Sequence, residues 1–595
     1  MRFSLKQNLN FVLPEMPPAA FQEEFFAGAW HPRADLSVNV QDRLTSNVAV
    51  SKGRNWFIMS SSSPFQTDGS GLAHVRCTEL RTGDVRVPDC VAFRGYVLDP
   101  PIHSWSASTD ILNYWSSARC RHNGVFATVI IGDRGEHLAF ITDAFGVASL
   151  YYREFEGGVI FSTNTRFLAM PNDRFDYGSA RILLHTRSVY GDRSLTEGVH
   201  RVPPGSACEF GNGIVTKKRW FNPSDFPDGT KPISPDRLRD VEMSFQTAID
   251  RCLRLQADDC VLPLSSGHDS RRMLAALHAR KIPFNSLTVR VLHKDYRDLD
   301  AYWASVMARD IGFKHQVVEL PAPDEFAGMD HMRRLLVDSH GTEHTWFLRL
   351  YPQYPHRQSL IFDGLGGDIW GNTGFGVKEL ISCEETIKLN RIAETEITDV
   401  YDRILSRKKW PSSQYVRQVL VDYLAWLPDG RNKSCLAFML MRARSGTGMC
   451  FQRLIPAGHV TVYPYCDLDY VSTTLAVDPQ EKIPPQTLQS RCLEHFWPQY
   501  YAFPGSRRIP AESRPGSGKF DESLKRACFR RLQAEAGSHM AGALFSFLTA
   551  RACAIASMSF VYSGAQRRAR WWLDPLLMMA AKQAAQKICW TKDQL

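Results

Sequence analysis

The chain has 595 residues, of which 44% are hydrophobic, 22% charged and 11% aromatic. A chain of this length and composition forms two or three globular domains, which excludes fibrous, low-complexity and disulfide-scaffold proteins. The formal charge of +9 is small for this length, so we expect a solvated surface and no nucleic-acid partner. The densest basic patches are short: Arg271-Arg272, Arg507-Arg508, and Arg567-Arg568 with Arg570.

The 14 cysteines lie singly along the sequence, without a CxxC pair or a Cys/His cluster at metal-ligand spacing. This pattern indicates reduced, structural thiols. The first eight residues lack the apolar core of a signal peptide, and the most apolar stretch, 541–562, carries Arg551 near its centre. We therefore expect a soluble, cytoplasmic protein without a membrane partner.

Short apolar runs alternate with turn residues between Asn123 and Met170, which predicts antiparallel strands. The polar, proline-rich stretch 222–235 predicts a linker between two domains. Beyond it, strands separated by helices predict a parallel, doubly wound sheet, and the chain after about residue 379 is mostly helical. The predicted strands are Cys260–Leu264, Ser286–Val291, His315–Leu320 and Ser359–Phe362, with helices at Ser270–Arg280 and Asp298–Asp310.

The loop 264–270, with sequence LSSGHDS, lies between a predicted strand and a predicted helix. It therefore lies at the carboxyl end of a parallel strand, where such sheets bind ligands. Small side chains let backbone N–H groups approach a phosphate, and the following helix N-terminus favours negative charge. A carboxylate beside phosphates requires a cation between them, so Asp269 is a candidate magnesium ligand.

A second loop, 363–368 with sequence DGLGGD, follows another apolar run. If both strands lie in one sheet, Asp269 and Asp368 hold magnesium from opposite sides of a nucleotide pyrophosphate. Each loop alone is equally compatible with a strand-to-helix turn that uses glycine and an Asp cap. The two loops together favour a nucleotide site.

The first loop resembles the SGGxDS pyrophosphate loop of the asparagine synthetase family, and the second resembles that family's GxGxDE loop. Between them, Ser286–Val289 resembles the family's strand beside adenine, and 298–315 is similar to its DE..YA..VA..LG..H segment. The segment 462–467 resembles its "xxPFLD" segment. The resemblance implies bound ATP and Mg²⁺. The nucleotide-binding residues it implies are Leu264, Ser265, Ser266, Gly267, Asp269, Ser270, Val289, Gly364, Gly366 and Gly367, with Asp269 and Asp368 on the metal.

The N-terminal part resembles that family's glutaminase domain. Segments 123–126, 143–152 and 159–162 are similar to its "NGxFA", "DxxGxxPLYY" and "xxFAS" segments, and 194–205 is similar to its closing turn. The resemblance implies an α/β protein. Its parts are an N-terminal Ntn-type α+β sandwich over residues 1–225, a doubly wound ATP-pyrophosphatase domain over 236–525 with a largely helical C-terminal region, and a helical extension over 526–595.

The sequence departs from the family pattern at several positions. Glutaminase chemistry needs a cysteine at the processed N-terminus, whereas this chain begins Met1-Arg2-Phe3 and its first cysteine is Cys77. We therefore expect an inactive glutaminase fold, remodelled before residue 123. Ser266 replaces a glycine, which costs about 1–2 kcal/mol if that position needs a positive φ. Leu365 replaces a polar substrate-binding or proton-transferring side chain.

Family enzymes carry a lysine near a C-terminal helix that stabilises the adenylation transition state. The matching stretch here offers Arg491, which holds charge and grips phosphate but cannot give up a proton. Lys519 is the second candidate, and a surface arginine is an equal alternative for Arg491. The acids that could replace the missing base are Glu343, Glu379, Glu384 and Glu385.

The resemblance implies an ATP-dependent carbon–nitrogen ligase that adenylates a carboxylate, releases pyrophosphate and joins an amine to form an amide. Without a glutaminase cysteine, the amine belongs to a substrate, as in β-lactam synthetases and lasso-peptide macrolactam cyclases. The expected partners are a small molecule or peptide carrying a carboxylate and an amine, and a protease or peptide-recognition protein. The alternatives are an amidotransferase that uses free ammonia and a non-catalytic nucleotide-binding scaffold.

Overall fold

A computed structural model gives the architecture of this chain. It describes residues 5–12, 25–32, 34–41, 48–61, 72–74, 88–103, 110, 114, 122–132, 135–211, 214–291, 298–341, 344–355, 357–371, 389–483, 487–505, 518–537, 548, 575–579, 581–582 and 590–592. None of the helices in these ranges is long and apolar enough to cross a bilayer. The apolar stretch 541–562 lies outside the described residues except for position 548.

Two antiparallel sheets form the N-terminal half of the chain. The strands of this half are β1 (Leu5–Val12), β2 (Phe26–Trp30), β3 (Ala34–Gln41), β4 (Val48–Lys52), β5 (Trp56–Ser61), β6 (Leu72–His74), β7 (Pro88–Leu98), β8 (Pro101–His103), β9 (Gly124–Gly132), β10 (His137–Thr142), β11 (Tyr151–Phe155), β12 (Gly158–Ser162), β13 (His200–Arg201), β14 (Ser206–Gly211) and β15 (Ile214–Arg219). Strands β1 and β3 belong to a small separate sheet. One sheet has the order β15-β14-β10-β9-β7-β6, with β8 on β7, and the other has the order β13-β11-β12-β2-β5-β4.

An aromatic core joins the two sheets. Phe140 of β10 lies 5.4 Å from Phe161 of β12 and 5.7 Å from Tyr152 of β11, measured between ring centroids. Strand β10 alternates half-buried and buried residues, as expected for a strand with one face on a core. The alternating pattern of the sequence therefore predicted this part of the fold correctly.

The strands before Asn123 complete both sheets. Strands β2 and β5 lie in the interior of the second sheet, and β7 pairs with β9 along nearly its whole length. Strand β2 pairs with β12 and is fully buried. The sequence predicted no strand here, because the resemblance is weak before residue 123. These residues nonetheless belong to the same sandwich.

The second half of the chain contains one parallel sheet, as predicted. Its strands are β16 (Asp259–Pro263), β17 (Asn285–Val289), β18 (His315–Val318), β19 (Ser359–Phe362) and β20 (His459–Val462), in the order β18-β17-β16-β19-β20. All four pairings are parallel. The strand order reverses between β16 and β19, which makes their carboxyl ends the switch point of the sheet. The sequence missed β20, and a last strand, β21 (Trp590–Lys592), pairs with β1.

The first described α-helix lies between strands β12 and β13 of the sandwich, and the other described helices flank the parallel sheet and fill the C-terminal region. The helices are α1 (Tyr177–Thr186), α2 (Pro235–Leu253), α3 (His268–Ala279), α4 (Leu299–Ile311), α5 (Pro323–Leu336), α6 (Gly367–Gly371), α7 (Leu389–Glu396), α8 (Ser413–Leu424), α9 (Lys433–Phe438), α10 (Met449–Arg453), α11 (Leu468–Leu475), α12 (Leu488–Phe496), α13 (Pro498–Tyr501) and α14 (Gly518–Ala536). The predicted linker leads directly into α2, where Ser234 caps the backbone N–H of Arg237 and Pro235 occupies the first turn.

Helices α9 and α10 are joined by a π-helical segment, Met439–Gly448, so that residues 433–453 form one continuous helix. Single π turns inside α-helices are frequently found at functional sites. Arg444 of this segment is fully buried and donates to the carbonyl oxygens of Gly146 and Val202. The π segment thus connects the antiparallel sandwich to the parallel-sheet region.

A second polar contact joins the same two regions. Asn123 donates to Asp467 over 2.8 Å and accepts from the backbone N–H of Leu468. Arg251 of α2 pairs with Asp467 over 2.8 Å and with Asp99 of the sandwich over 3.0 Å. Because Asp467 is buried, this cluster holds the sandwich firmly against α2 and α11.

The expectation of a solvated basic surface is wrong for Arg271 and Arg272, which are both buried. Arg271 donates to the carbonyl oxygens of Tyr500 and Phe503, and Arg272 pairs with Glu242 over 2.8 Å. Residues 507–508 and 567–570 lie outside the described residues. The nine described cysteines are free, and eight of them are buried, which confirms the prediction of reduced structural thiols for this part of the chain.

Candidate nucleotide site

A cleft of about 680 Å³ opens at the carboxyl ends of β16 and β19. Both predicted loops reach it, because β16 and β19 are hydrogen-bonded neighbours. The cleft is lined by Pro263, Leu264, Ser265, Asp269, Ser270, Leu287, Thr288, Val289, Val291, Asp300, Trp346, Phe347, Leu350, Asp363, Gly364, Leu365, Asp368, Ile369, Phe438, Arg442, Ala443, Thr447 and Phe451. The fold therefore places the two sequence motifs on one cavity.

The first loop is closed by its own hydroxyl groups. The backbone N–H of Ser265 donates to Oγ of Ser270 over 3.2 Å, and the two hydroxyls lie 3.0 Å apart. The backbone N–H of Gly267 donates to Oγ of Ser265 over 3.1 Å. The N–H of Gly267 lies at the start of α3 and that of Ser265 in the loop before it, so a bound phosphate could replace the serine oxygens that now accept from them.

Ser266 occupies the position where the sequence raised the question of strain. It is not among the residues with a positive φ, so the replacement of glycine costs no backbone strain here. Its backbone N–H and its hydroxyl both donate to Oδ1 of Asp300, over 2.7 and 2.6 Å. Asp300 belongs to α4, and no sequence argument singled it out, although its carboxylate fixes the middle of the loop.

Three carboxyl groups crowd the floor of the cleft. Burial and the neighbouring carboxylate of Asp368 hold the pKa of Asp269 well above its usual value. Burial likewise raises the pKa of Asp368, and it raises the pKa of Asp363 to about 7. Each shift reflects the cost of withdrawing a negative charge from water, to which the repulsion of the neighbouring carboxylate adds at Asp269 and Asp363. No ion pair joins these three acids to a basic side chain among the described residues.

Glycine is required where the two loops meet. A Cβ added at Gly367 would lie 2.5 Å from Cγ of Asp269, which is closer than atoms can pack. Gly366 has a φ of +97°, in the left-handed region that favours glycine. The glycines of the second loop thus allow the Asp269 side chain to lie directly on the backbone of α6.

The carboxylates of Asp269 and Asp368 fit a divalent cation, because they lie close together, half-buried at Asp269 and exposed to the cleft at Asp368, and no described basic group forms an ion pair with either of them. Oxygen ligands of this kind suit Mg²⁺, which usually takes one or two protein carboxylates together with phosphate and water oxygens. Within the described ranges, no group of three or more His, Cys, Asp or Glu side chains converges on one point. A metal at this site would therefore need ligands from a bound phosphate.

A second layer of polar contacts supports the two loops. Gln489 of α12 donates to the carbonyl oxygen of Gly367 over 2.8 Å and accepts from Arg272 over 2.6 Å. The buried ammonium of Lys482 donates to the carbonyl oxygen of Trp370 over 3.3 Å. Tyr465 donates its hydroxyl to the carbonyl oxygen of Asp269 over 2.8 Å. These residues come from distant parts of the sequence, and no local pattern pointed to them.

Part of the cleft wall is apolar. Val289, the residue expected beside adenine, lines it together with Trp346 and Phe347. The ring of Phe347 stacks on that of Phe451 with centroids 4.8 Å apart. Leu365 is buried and packs toward Gly448, where an added Cβ would lie 3.2 Å from its Cδ2. Leu365 therefore packs in the wall of the cleft and offers no polar group to a substrate.

Arg491 does not line the cleft, and the side chain of Lys519 lies outside the described part of the chain. Arg491 is half-buried on α12, and Lys519 lies in the first turn of α14. Glu343, Glu379, Glu384 and Glu385 lie outside the described residues. The cation that does line the cleft is Arg442, from the π segment, which the sequence did not indicate because π-helical geometry leaves no clear sequence signature.

The described cysteines of the sandwich are poor nucleophiles. Cys90 and Cys208 are both fully buried. Burial raises the pKa of Cys208 to about 11, so its thiol stays protonated at neutral pH. Cys77 and Cys120 lie outside the described residues.

Comparison with known proteins identifies one domain. Residues 112–221 match the family described as glutamine amidotransferase domain, which is less than a fifth of the chain. The chain therefore contains an amidotransferase-type domain that coincides with the later strands of the sandwich. No curated protein matches the sequence.

Two solved structures similar to the chain are glutamine phosphoribosylpyrophosphate amidotransferase from B. subtilis, complexed with ADP and GMP, and the allosteric regulatory enzyme of purine biosynthesis. Each is 11% identical, with a TM-score of 0.21, over 51% of this chain and 77% and 76% of its own chain. A TM-score this low does not establish that this chain shares the fold of either structure.

Proposed function

We propose that the protein is an asparagine synthetase-like, ATP-dependent ligase that forms an amide bond through an acyl-adenylate. The observation that carries the proposal is the convergence of the loops after β16 and β19, with Asp269 and Asp368, at the switch point of one parallel sheet. A site with two neighbouring acids that can hold a cation, hydroxyl groups and a helix N-terminus suits the phosphates of a nucleotide.

In this proposal Ser265, Ser270 and the start of α3 hold the pyrophosphate, and Val289 borders the adenine. Asp269 and Asp368 would hold Mg²⁺, which would neutralise phosphate charge when bound. The substrate carboxylate attacks the α-phosphorus and pyrophosphate leaves. An amine then attacks the acyl carbon, and AMP leaves as the amide forms.

The cysteines of the sandwich bear on which molecule supplies the attacking amine. The described cysteines there, Cys90 and Cys208, are buried, and burial raises the pKa of Cys208 to about 11, which favours an amine carried by the substrate over ammonia released from glutamine. The product is then a lactam or macrolactam of a specialised metabolite or peptide, with a protease or peptide-recognition protein as a partner. Transfer of free ammonia to the carboxylate is the closest alternative.

A non-catalytic, nucleotide-binding scaffold is the competing class. The buried Leu365, where the family carries a polar side chain, favours this class. The three neighbouring acids oppose it, because an empty site gains nothing from carboxylates that repel one another.

Calorimetric titration of Mg-ATP into the full-length protein tests the proposal, followed by assays for AMP and pyrophosphate with candidate carboxylates. We expect magnesium-dependent binding, carboxylate-dependent release of pyrophosphate, and no release of glutamate from glutamine. Binding of Mg-ATP without any AMP formation would favour the scaffold. Glutamate release would show that the sandwich is an active glutaminase.

A further inference from the structure

The floor of the cleft is strongly acidic, and one basic side chain opposes it. Among the described lining residues, Asp269, Asp300, Asp363 and Asp368 are the acids, and Arg442 is the sole cation. Arg442 is exposed to solvent. It acts electrostatically on Asp368 and on Glu396 of α7, so its charge reaches the side of the cleft where the second loop ends.

The π segment determines where Arg442 points. Nearby Arg444 is held by Asp192 of the sandwich over 2.9 Å and by the hydroxyl of Tyr423 of α8 over 2.6 Å. Positions two residues apart lie on roughly opposite sides of a helix, so fixing Arg444 on one face directs Arg442 to the opposite face. Arg442, Ala443 and Thr447 accordingly line the cleft.

Apolar groups flank this arginine. Phe438, one turn earlier on the same helix, and Phe451 both line the cleft, as do Trp346 and Leu350 from the segment before β19. A cation next to an aromatic wall is complementary to a ligand with an anionic end and an apolar body. The planar guanidinium of arginine matches a carboxylate through two parallel hydrogen bonds.

We propose that Arg442 binds the carboxylate of the acyl substrate, and that this substrate carries an aromatic or large aliphatic group against Phe438 and Phe451. The inference rests on the proposed function and deepens it by naming a substrate class and the residue that recognises it. In this arrangement the amidotransferase-type domain, without a cysteine nucleophile among its described residues, contributes to the reaction by holding Arg444 and thereby orienting Arg442.

The test uses the full-length protein, its Arg442→Gln and Arg442→Lys variants, and Arg391→Gln as a control on the exposed side of α7. The carboxylate probes are phenylacetate, 3-phenylpropionate, L-phenylalanine and hexanoate, with L-aspartate and L-glutamate as polar probes. Three quantities are measured: the Kd of Mg-ATP by calorimetry, the Kd of each probe in the presence of a non-hydrolysable ATP analogue, and probe-dependent pyrophosphate release.

We expect an apolar probe to bind and to stimulate pyrophosphate release. Arg442→Gln weakens probe binding about 10- to 100-fold, as expected for the loss of a charged hydrogen-bond pair, and leaves the Kd of Mg-ATP within about threefold. Arg442→Lys falls between the wild type and Arg442→Gln, and Arg391→Gln behaves as the wild type. Because Arg442→Lys keeps the positive charge, stronger probe binding by this variant than by Arg442→Gln shows that the loss of binding does not come from misfolding.

Other results overturn the inference in distinguishable ways. Unchanged probe binding in Arg442→Gln removes the residue from substrate recognition. Loss of Mg-ATP binding in Arg442→Gln reassigns the residue to the phosphates. A wild-type protein that binds Mg-ATP but accepts polar probes alone, or none of the panel, excludes the apolar substrate class. A wild-type protein that does not bind Mg-ATP refutes the proposed function itself.

Discussion

The antiparallel sandwich and the cleft both hold carboxylates whose pKa is raised, and the two environments differ: Asp143 is buried, whereas Asp269 is half-buried and Asp368 is exposed to the cleft. Asp143 in the sandwich accepts three backbone N–H groups of its own loop, from Phe145, Val147 and Ala148, over 3.0 to 3.1 Å. Burial raises its pKa to about 6. In the cleft, Asp269 and Asp368 face each other, and no described basic side chain pairs with either of them.

The difference separates a structural acid from a ligand-binding acid. A buried carboxylate whose oxygens are saturated by backbone N–H groups fixes a loop, because its hydrogen bonds offset the loss of water. Carboxylates that repel one another across a cavity keep their capacity for a cation. The following predictions test this distinction, in order of decreasing expected effect.

Asp143→Ala should destabilise the protein by about 3–5 kcal/mol, since it leaves three buried N–H groups without acceptors. Denaturant-induced unfolding followed by fluorescence measures the change. At a temperature where the variant is folded, its Kd for Mg-ATP should equal that of the wild type. A variant of normal stability would mean that water replaces the carboxylate, and Asp143 would then not be a structural acid.

Asp269→Asn and Asp368→Asn should each weaken Mg-ATP binding by at least about 100-fold, which corresponds to about 2.7 kcal/mol. Their stability should be unchanged or increased, because each substitution removes one of two repelling charges. Calorimetry with and without Mg²⁺, together with thermal unfolding, measures both quantities. Loss of stability with normal nucleotide binding would place these acids in the same class as Asp143.

Gly367→Ala should weaken Mg-ATP binding about 10- to 100-fold, because the added methyl group displaces the Asp269 side chain. Gly328→Ala is the matched control, since it lies within α5 and an added Cβ there meets nothing within 4 Å. The control should gain about 0.5–1 kcal/mol of stability and bind Mg-ATP normally. Equal nucleotide affinity in both variants would show that the contact between Asp269 and Gly367 has no role in binding.

Acid unfolding should depend on Asp330. Although burial alone would raise its pKa, the guanidinium groups of Arg333 and Arg334 lower the pKa of Asp330 to about 2. Because the folded pKa lies below the unfolded value of about 4, the ionised carboxylate stabilises the fold above pH 4. This contribution, on the order of 2 kcal/mol, is lost as the pH falls from about 4 to about 2.

Asp330→Asn tests this expectation through unfolding free energies measured between pH 2 and pH 7. The variant should be less stable than the wild type at pH 7 and should approach it at pH 2. Asp324→Asn on the same helix is the control, because its side chain is 93% exposed and should affect stability by less than about 1 kcal/mol. A constant difference between Asp330→Asn and the wild type at every pH would exclude the ion pairs as the cause.

Much of the site could be predicted from the sequence because its parts are local. A strand, a short loop of small residues and a helix are adjacent in the chain, and the spacing of apolar residues identifies each of them. Asp269 and Asp368 were found in this way, and both line the cleft. At Ser266, in contrast, the sequence left open whether the position needs a positive φ, and its contact with Asp300 could not be foreseen from the sequence around it.

The sequence by itself determined that an antiparallel region precedes a parallel sheet, and where the two acidic loops lie, since hydrophobic periodicity and turn residues act over a few positions. Only the tertiary structure decided that Arg271 and Arg272 are buried and that β2, β5 and β7 complete the sandwich. It also decided that Arg442, rather than Arg491, lines the cleft. These outcomes depend on contacts between residues far apart in the chain, such as Arg444 with Gly146, which no local pattern encodes.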